Sequence, residues 1–377
     1  MRILHLIYDD IKNPWCGGGG AVRAYEINRR LARRHAITVI TGNYPGARNG
    51  VFEGIKYLRV GSPRSSMCSR ITYTLQARKA IKRLPHDILI DDFSANSPCL
   101  SLFATSKPVI ASILNYFGKN SIHKRKILGL IPFLFECLGL RLFKNVIVET
   151  EQMKTKLKQL FLRRTAVVEV LPNGTNNELF ELSLSEKNYI LFIGRMEIYQ
   201  KGIDVLLDAF SIVIDKHKNI NLCFVGDTQH KDMTKIMTKI KELNLETKVQ
   251  FLGRIMSGQM KNQLLSEVLF LCLPSRYDTM PLIAIEVAAC GKPIIATRIP
   301  GLSEVIQDGK TGILVEPNNK EALSVAMSHL LENDSLRQTM GKNAREWARA
   351  FKWDSIACKQ ERFYYQVYHK TRYEKNE

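Results

Sequence analysis

Two acids, two bases and a run of glycines carry most of the chemistry this chain can do. Asp278 and Glu286 stand eight residues apart in PSRYDTMPLIAIEVAACGKPIIATRIPG, which runs from Pro274 to Gly301. The apolar run from Val268 to Ser275 reads as a strand that stops at Pro274. Pro281 suits a first helical turn, where its missing N–H costs nothing. Leu282, Ile283, Ile285, Ala288 and Ala289 then fit a packed helix that ends at Gly291, and PIIAT follows as a strand. The loop Ser275 to Thr279 therefore lies outside the carboxyl end of a parallel strand, at a helix N-terminus. That is where α/β sheets bind ligands and where backbone N–H groups receive phosphate. Glu286 falls one to two turns into the helix, so one acid can face a ligand over the loop while the other reaches along the helix. Taken alone, two acids at this spacing also describe a solvated helix start.

The bases lie upstream. YILFIGR ends in Gly194-Arg195, and Lys201-Gly202 precedes the apolar helix IDVLLDAFSIVID. A diphosphate needs cations that stay charged at a strand end; Arg offers a planar fork and Lys a mobile point charge. Two bases in a loop equally describe a solvated turn. Near the N-terminus, Gly17-Gly18-Gly19-Gly20 separates the strand MRILHLIY from the helix AVRAYEINRRLARRH and the strand AITVITG. Val22, Ile27 and Leu31 mark one face of that helix, and Arg29, Arg30, Arg33 and Arg34 a basic one. Strand, glycine loop, helix, strand opens a doubly wound unit, and glycine lets backbone approach a ligand closely. The run is not G-x-G-x-x-G, and it also fits a plain flexible turn.

These groups need sheets to hold them. Val51 to Gly61 reads as a short strand pair, Ser62 to Arg70 as a polar, basic and mobile loop, and Ile71 to Leu84 as a helix. HDILIDDF, KPVIASIL and NVIVET are further strands, and QMKTKLKQLFL a helix. NLCFVGD and VQFLGRI follow in the second half, helices fill Lys320 to Ala350, and a last helix begins at Asp354 with Trp353 and its aromatic run as packing. At 377 residues the chain suits two domains, each able to bury a core. The order predicts α/β architecture, with a domain over 1–172, a linker over 173–186, a second domain over 187–353, and the helix 354–377 crossing back onto the first.

Composition narrows the partners. The net charge of +19 is concentrated in residues 1–170, where 28 Lys and Arg face 11 Asp and Glu; residues 171–377 hold 27 and 25. A basic half suggests an anionic partner. It lacks an aromatic-interleaved basic motif, which argues against nucleic acid. Residues 119–144 join a basic start to the apolar segment Ile127 to Phe143, readable as a membrane-surface segment or as a buried helix pair. The eight cysteines form no CxxC and no cluster with histidine, so neither a metal site nor a disulfide framework is expected, and several sit in apolar runs as buried thiols. Asp91-Asp92 at a strand end is weak evidence for a metal. No signal peptide and no transmembrane run is read, and a reducing cytoplasm fits.

Asp278-x7-Glu286, between Pro274-Ser275 and Ala289-Cys290-Gly291-Lys292-Pro293, resembles the E-x7-E segment of glycosyltransferase family 4. Gly194-Arg195 with Lys201-Gly202 resembles the family's G-R-x-x-x-x-K-G, Pro172-Asn173-Gly174 its domain junction, VQFLGRI its V-x-F-L-G-x-V strand, and Asp308 to Pro317 its closing strand. The chain departs in places. Asp278 replaces the first Glu, Thr279-Met280-Pro281 replaces Gly-Phe-Gly, and Leu114 or Asn115 stands where many members carry a histidine; His123 is out of register.

The resemblance implies the GT-B fold, two Rossmann-like doubly wound domains facing each other across a cleft. It implies a metal-independent, retaining, hexosyltransferase-type enzyme that moves a sugar from a nucleotide-diphosphate sugar, a donor substrate and not a cofactor, to a glycan or lipid-linked acceptor. The family setting is cell-surface polysaccharide biosynthesis, lipopolysaccharide included, in the cytoplasm or peripherally at the inner face of the membrane. Arg195 and Lys201 would hold the diphosphate, Glu286 the ribose, and Asp278 the transferred sugar with backbone N–H groups near Met280, Pro281 and Leu282. Gly18, Gly19 and Gly194 would line the donor phosphates, and Arg254 and Ile255 the base. A degenerate transferase acting as a scaffold subunit and an epimerase of the same fold are the alternatives.

Overall fold

The computed structural model describes residues 1–93, 101–114, 116, 130–255 and 258–373. The chain divides into two compact units, Met1–Pro172 with Trp353–Glu377, and Asn173–Lys352. Both are α/β, with helices packed on largely parallel sheets.

Among the described residues the first unit holds eight strands: β1 Arg2–Leu6, β2 Ala36–Gly42, β3 Gly50–Phe52, β4 Ile55–Val60, β5 Ile88–Asp92, β6 Val109–Ile113, β7 Asn145–Val148 and β8 Val167–Val170. They order as β3-β4-β2-β1-β5-β6-β7-β8, and only β3 runs antiparallel to its neighbour. Ile3 sits opposite both Ile37 and Ile88, and the central strands are largely apolar, as sheets covered on both faces require, with His5 and Asp91 as buried polar exceptions. Strand order reverses at β1, which has β2 on one side and β5 on the other. The helix Trp353–Tyr373 packs on the helix Gly19–Leu31, with Trp353, Phe363 and Tyr364 buried.

The second unit holds β9 Tyr189–Ile193, β10 Asn221–Val225, β11 Val249–Phe251, β12 Phe270–Leu273, β13 Ile294–Thr297 and β14 Gly312–Val315. Their order is β11-β10-β9-β12-β13-β14, all parallel, and the reversal falls at β9. Every loop that follows one of these strands therefore emerges at one edge of the sheet. The central strands β9, β12 and β13 are almost wholly buried, with Ile190, Leu191, Phe270 and Leu271 fully enclosed, while the edge strand β11 exposes Gln250.

Three sequence readings change. Ser66 to Arg70, read as mobile loop, is the first turn of a helix over Ser66–Arg83. Ser65 caps it by accepting the Cys68 N–H at 3.2 Å, and that fixes the start ahead of the apolar pattern. Val22 is only half-buried; the buried face of the helix Gly19–Leu31 carries Arg23, Glu26 and Asn28 beside Ala24, Ile27 and Leu31. Arg23 is enclosed because its guanidinium donates to the carbonyls of Leu171 and Pro172 at 2.9 and 2.7 Å. Residues 173–186, read as a linker, cluster with the second unit. Leu179 enters its core, and Glu186 meets Arg337 at 2.7 Å and the buried Lys292 at 3.5 Å. Of the segment 119–144, residues 119–129 lie outside the described residues, and Leu130–Leu140 is a helix.

Candidate active site

The carboxyl edge of the second sheet gathers the charged residues. β9 leads through Gly194 and Arg195 into a short helix, Ile198–Lys201, which ends on Gly202. Gly202 is left-handed at φ +64°, and a Cβ there would stand 2.0 Å from the Pro274 carbonyl oxygen. Only glycine allows that approach. It seats the start of the next helix, Ile203–Lys216, against the end of β12 and delivers Lys201 to the loop beyond. There the Lys201 ammonium meets Asp278 Oδ2 at 2.5 Å, each side chain 13% exposed.

Arg276 binds the same two loops. Its guanidinium takes both oxygens of Asp204 at 2.8 and 2.7 Å and donates to the Tyr199 carbonyl at 2.7 Å. Its backbone N–H donates to the Gln200 carbonyl at 2.9 Å. The hydrogen bond it donates to Asp204 raises the Arg276 pKa above its ordinary value, so this fork stays charged and the clamp is two-pronged. Arg195, one residue past Gly194, is exposed, and among the described residues it forms no ion pair.

The helix Leu282–Ala289 opens with Pro281 at its N-cap, in extended conformation and with no side-chain cap. Proline is thus one position before the first turn. Glu286 lies just over one turn in and meets the Lys261 ammonium at 2.6 Å; Lys261 belongs to the helix Gly258–Glu267. Met280 is buried, and its carbonyl accepts from the Asn173 amide at 2.7 Å. On the far side of the loop, a Cβ on Gly301 would fall 1.1 Å from the Thr279 carbonyl oxygen. Backbone is packed on backbone here, which fixes the course of Asp278 and Thr279. Arg254, after β11, lies 3.5 Å from Asp227, after β10, and both are exposed. Ile255 packs its side chain partly on the core.

In the first unit the glycine run follows β1. Gly18 is the N-cap of the helix Gly19–Leu31 with no side-chain cap, and a Cβ at Gly18 would meet nothing within 4 Å. Gly17 is the constrained member, at φ +146°, where a Cβ would stand 3.2 Å from the Asp10 carbonyl oxygen. Leu114 lies beside the run: a Cβ on Gly20 would be 3.1 Å from its Cδ1. Asn115 and His123 lie outside the described residues. At the end of β5, Asp91 accepts from the Ser101 hydroxyl, and burial pushes its carboxyl up to about 6. Asp92 pairs with the buried His5 at 3.2 Å. Among the described residues no three His, Cys, Asp or Glu side chains group to hold a metal ion, and no helix is long and apolar enough to cross a membrane. Cys223, Cys272 and Cys290 are buried free thiols.

Of the expected residues, Lys201 and Asp278 touch, while Gly194, Arg195, Arg254 and Ile255 share the edge at which they stand. Glu286 joins through Lys261 and not through Lys201. Lys261, Arg276, Gly202 and Gly301 were not singled out as site residues. The Lys-Gly dipeptide was a visible signal for Gly202; Lys261 gave none.

An α/β chain with two such sheets, each with a strand-order reversal at its carboxyl edge, is of the GT-B class, and the comparisons agree. The family model for glycosyl transferases group 1 matches residues 175–347, and that for Glycosyltransferase Family 4 matches residues 17–179. The protein belongs to this family of group 1, family 4-type glycosyltransferases. An uncharacterized glycosyltransferase of Methanocaldococcus jannaschii is 28% identical over 361 residues, covering 94% of this chain and 96% of its own. The structure of sucrose-phosphate synthase from Thermosynechococcus elongatus superposes with a TM-score of 0.83 at 20% identity, over 98% of this chain and 100% of that one. Anabaena HepE in complex with UDP-glucose gives 0.77 at 17%, over 97% and 99%. At these identities the two structures speak for the fold.

Proposed function

We propose that this glycosyltransferase takes its sugar from a nucleotide-diphosphate sugar and passes it, with retention at the anomeric carbon, to a glycan or lipid-linked acceptor of the cell surface. It would work in the cytoplasm at the inner face of the membrane. The observation that carries the donor reading is the Lys201–Asp278 pair at the reversal point of the second sheet, with the exposed guanidinium of Arg195 on the same strand end. The UDP-glucose complex of the HepE neighbour supports the same donor class.

The chemistry follows from charge. When the bond from the anomeric carbon to the diphosphate oxygen breaks, negative charge grows on the leaving group. Lys201 is a cation fixed beforehand at that place by Asp278, and the exposed Arg195 beside it can close on the diphosphate; fixed charge of this kind supplies a large part of catalysis. An ammonium has three donors, so Lys201 can serve a phosphate oxygen while keeping Asp278 in position. Asp278 accepts from hydroxyls of the transferred sugar, and backbone near Met280, Pro281 and Leu282 donates. Asp is one methylene shorter than Glu, which suits a donor sugar held closer to the loop. Glu286 accepts from the ribose hydroxyls, and a carboxylate has room for Lys261 as well. Gly194 gives the diphosphate backbone access, Arg254 and Ile255 flank the base, and Gly18 and Gly19 offer N–H groups to a phosphate or acceptor oxygen. No separate nucleophile is required. The acceptor oxygen bonds the anomeric carbon on the face the diphosphate leaves, and its proton passes to a diphosphate oxygen.

The test is calorimetric titration of UDP, GDP, ADP and CMP into wild type and Glu286→Ala. One diphosphate should bind, and the variant should weaken it at least tenfold. If none binds, the active-transferase reading falls in favour of a scaffold subunit. Release of a free epimer without acceptor would favour the epimerase.

A further inference from the structure

The helix Ser66–Arg83 has two apolar stripes where a surface helix needs one. Ser69, Tyr73, Ala77 and Ile81 are buried, and the last three belong to the core of the first unit. Met67, Ile71 and Leu75 are 72%, 58% and 64% exposed. The second set repeats every four residues and is offset by two from the first, which on an α-helix is about 200° around the axis. It therefore points straight away from the core. Beyond Leu75 the outward stripe continues as Arg78, Lys79 and Lys82, with Arg83 next to it. The helix carries five basic residues and no acid. Among the described residues, Arg78, Lys79, Lys82 and Arg83 form no ion pair.

A second helix repeats the pattern. Leu134 and Leu138 on Leu130–Leu140, and Leu142 just after it, are 47%, 59% and 39% exposed, again four apart. Leu140 and Phe143 turn the other way, into the same apolar cluster that holds Tyr73, Ala77 and Ile81. Two helices seated on one core thus both send leucine-type side chains outward.

We propose that this face of the first unit is a docking surface for an anionic lipid bilayer, with Met67, Ile71 and Leu75 entering the headgroup boundary and Arg78, Lys79 and Lys82 on lipid phosphates. It deepens the membrane part of the proposed function and is independent of the donor site. Apolar residues followed by lysine and arginine on one helix face are what an interfacial helix needs: the apolar groups leave water and the long cations reach the headgroups. A second copy of this chain is the competing cover. It would bring two acid-free basic helices together, from halves of the chain that carry 28 basic and 11 acidic residues each, and like charge opposes that contact.

Cosedimentation of the full chain with vesicles tests this. One set is phosphatidylcholine alone, the other equal parts phosphatidylcholine and phosphatidylglycerol. The protein should bind the second set only, and less at high salt. Ile71→Glu with Leu75→Glu, both on exposed positions, should reduce the partition at least tenfold and leave thermal unfolding and nucleotide affinity unchanged. Lys79→Glu with Lys82→Glu should do the same, with the salt dependence weakened. Equal binding by the wild type and the Ile71→Glu, Leu75→Glu variant overturns the proposal, as does failure of the wild type to bind. Sedimentation velocity showing a dimer that this variant dissociates, without vesicle binding, assigns the face to a second copy. A chain that binds vesicles but no nucleotide keeps this inference and loses the donor reading.

Discussion

The loops after β1 and after β9 hold the same station in their sheets. Each follows the strand at which the order reverses, and each opens the helix that leads to the neighbouring strand. Yet they are built in opposite ways. The loop after β9 is pinned: Gly202 lies on Pro274, Lys201 on Asp278, and Arg276 ties Asp204, Tyr199 and Gln200 together. The loop after β1 is bare at its end, with Gly18 open to solvent and no side-chain cap on the helix it starts. A doubly wound sheet supplies the place for a ligand; side chains decide whether charge is held there. The loop after β9 holds charge in fixed geometry at its ligand end; the loop after β1 keeps its charge buried at its start, where Asp10 meets Arg59 at 2.8 Å, and its glycine end offers only backbone.

The largest effect expected from this contrast is at Lys201. Lys201→Ala should lower kcat about a hundred- to a thousandfold, the range seen when one fixed donor to a developing negative charge is removed. Transfer from the donor identified by calorimetry measures it, and thermal unfolding of the same variant checks that the loop survives. A kcat within threefold of wild type would mean the pinned loop is only structural, and the contrast would lose its functional half.

The first unit has its own buried charge, away from the glycines. Asp91 is fully enclosed, and burial raises its carboxyl from the ordinary 3.8 to about 6. The folded state therefore holds the proton more tightly than the unfolded chain. Stability from this group is present below about pH 4 and is lost as pH rises to about 6, by about 3 kcal/mol for a shift of about two units. Denaturant melts of the wild type and Asp91→Asn across this window should diverge by that amount, the wild type losing stability relative to the variant as pH rises. Parallel curves would show that Asp91 titrates alike in both states.

How much of this was readable beforehand depends on the range of the contact. The two doubly wound halves, the strand end at Pro274, the helix bearing Glu286 and the separate choice of Lys201 and Asp278 all follow from local pattern and a familiar spacing, whereas the contact between those two residues, 77 apart, does not. What was missed is contact between segments far apart in sequence. Lys261 looks like any solvated lysine until its helix is laid beside Glu286. Asp204 and Arg276 are 72 residues apart, and nothing in either segment announces the other. The segment 173–186 reads as a linker because Pro172-Asn173-Gly174 resembles a domain junction, whereas Asn173 and Glu186 find partners more than 100 residues on. The turn Ser66 to Arg70 was lost to its polarity, although Ser65 with the Cys68 N–H is a local cap. Ile71 and Leu75 fall in the stretch that reads as helix and Met67 in the one that reads as loop, and sequence alone does not say which of two apolar stripes faces in.

Two glycine substitutions sharpen the comparison further. Gly202→Ala puts a methyl group against the Pro274 carbonyl at a left-handed position, where strain and clash together cost about 2 kcal/mol or more. The second unit should melt about 4 to 8 °C lower. Gly18→Ala should be nearly silent in the same experiment. Its φ of −78° and ψ of −163° are extended geometry open to any residue, and no atom stands within 4 Å of the added methyl. Alanine is a clearly poorer N-cap than glycine, so a loss of about 0.5 kcal/mol is expected, well below that of Gly202→Ala. Any effect of Gly18→Ala on transfer would then be an effect on a bound ligand, since the protein itself has nothing there for the methyl to touch. A fall in kcat/KM with an unchanged Tm would give the bare loop a ligand. Unchanged transfer would leave Gly18 a plain helix start, and a Tm drop equal to that of Gly202→Ala would erase the distinction between the two loops.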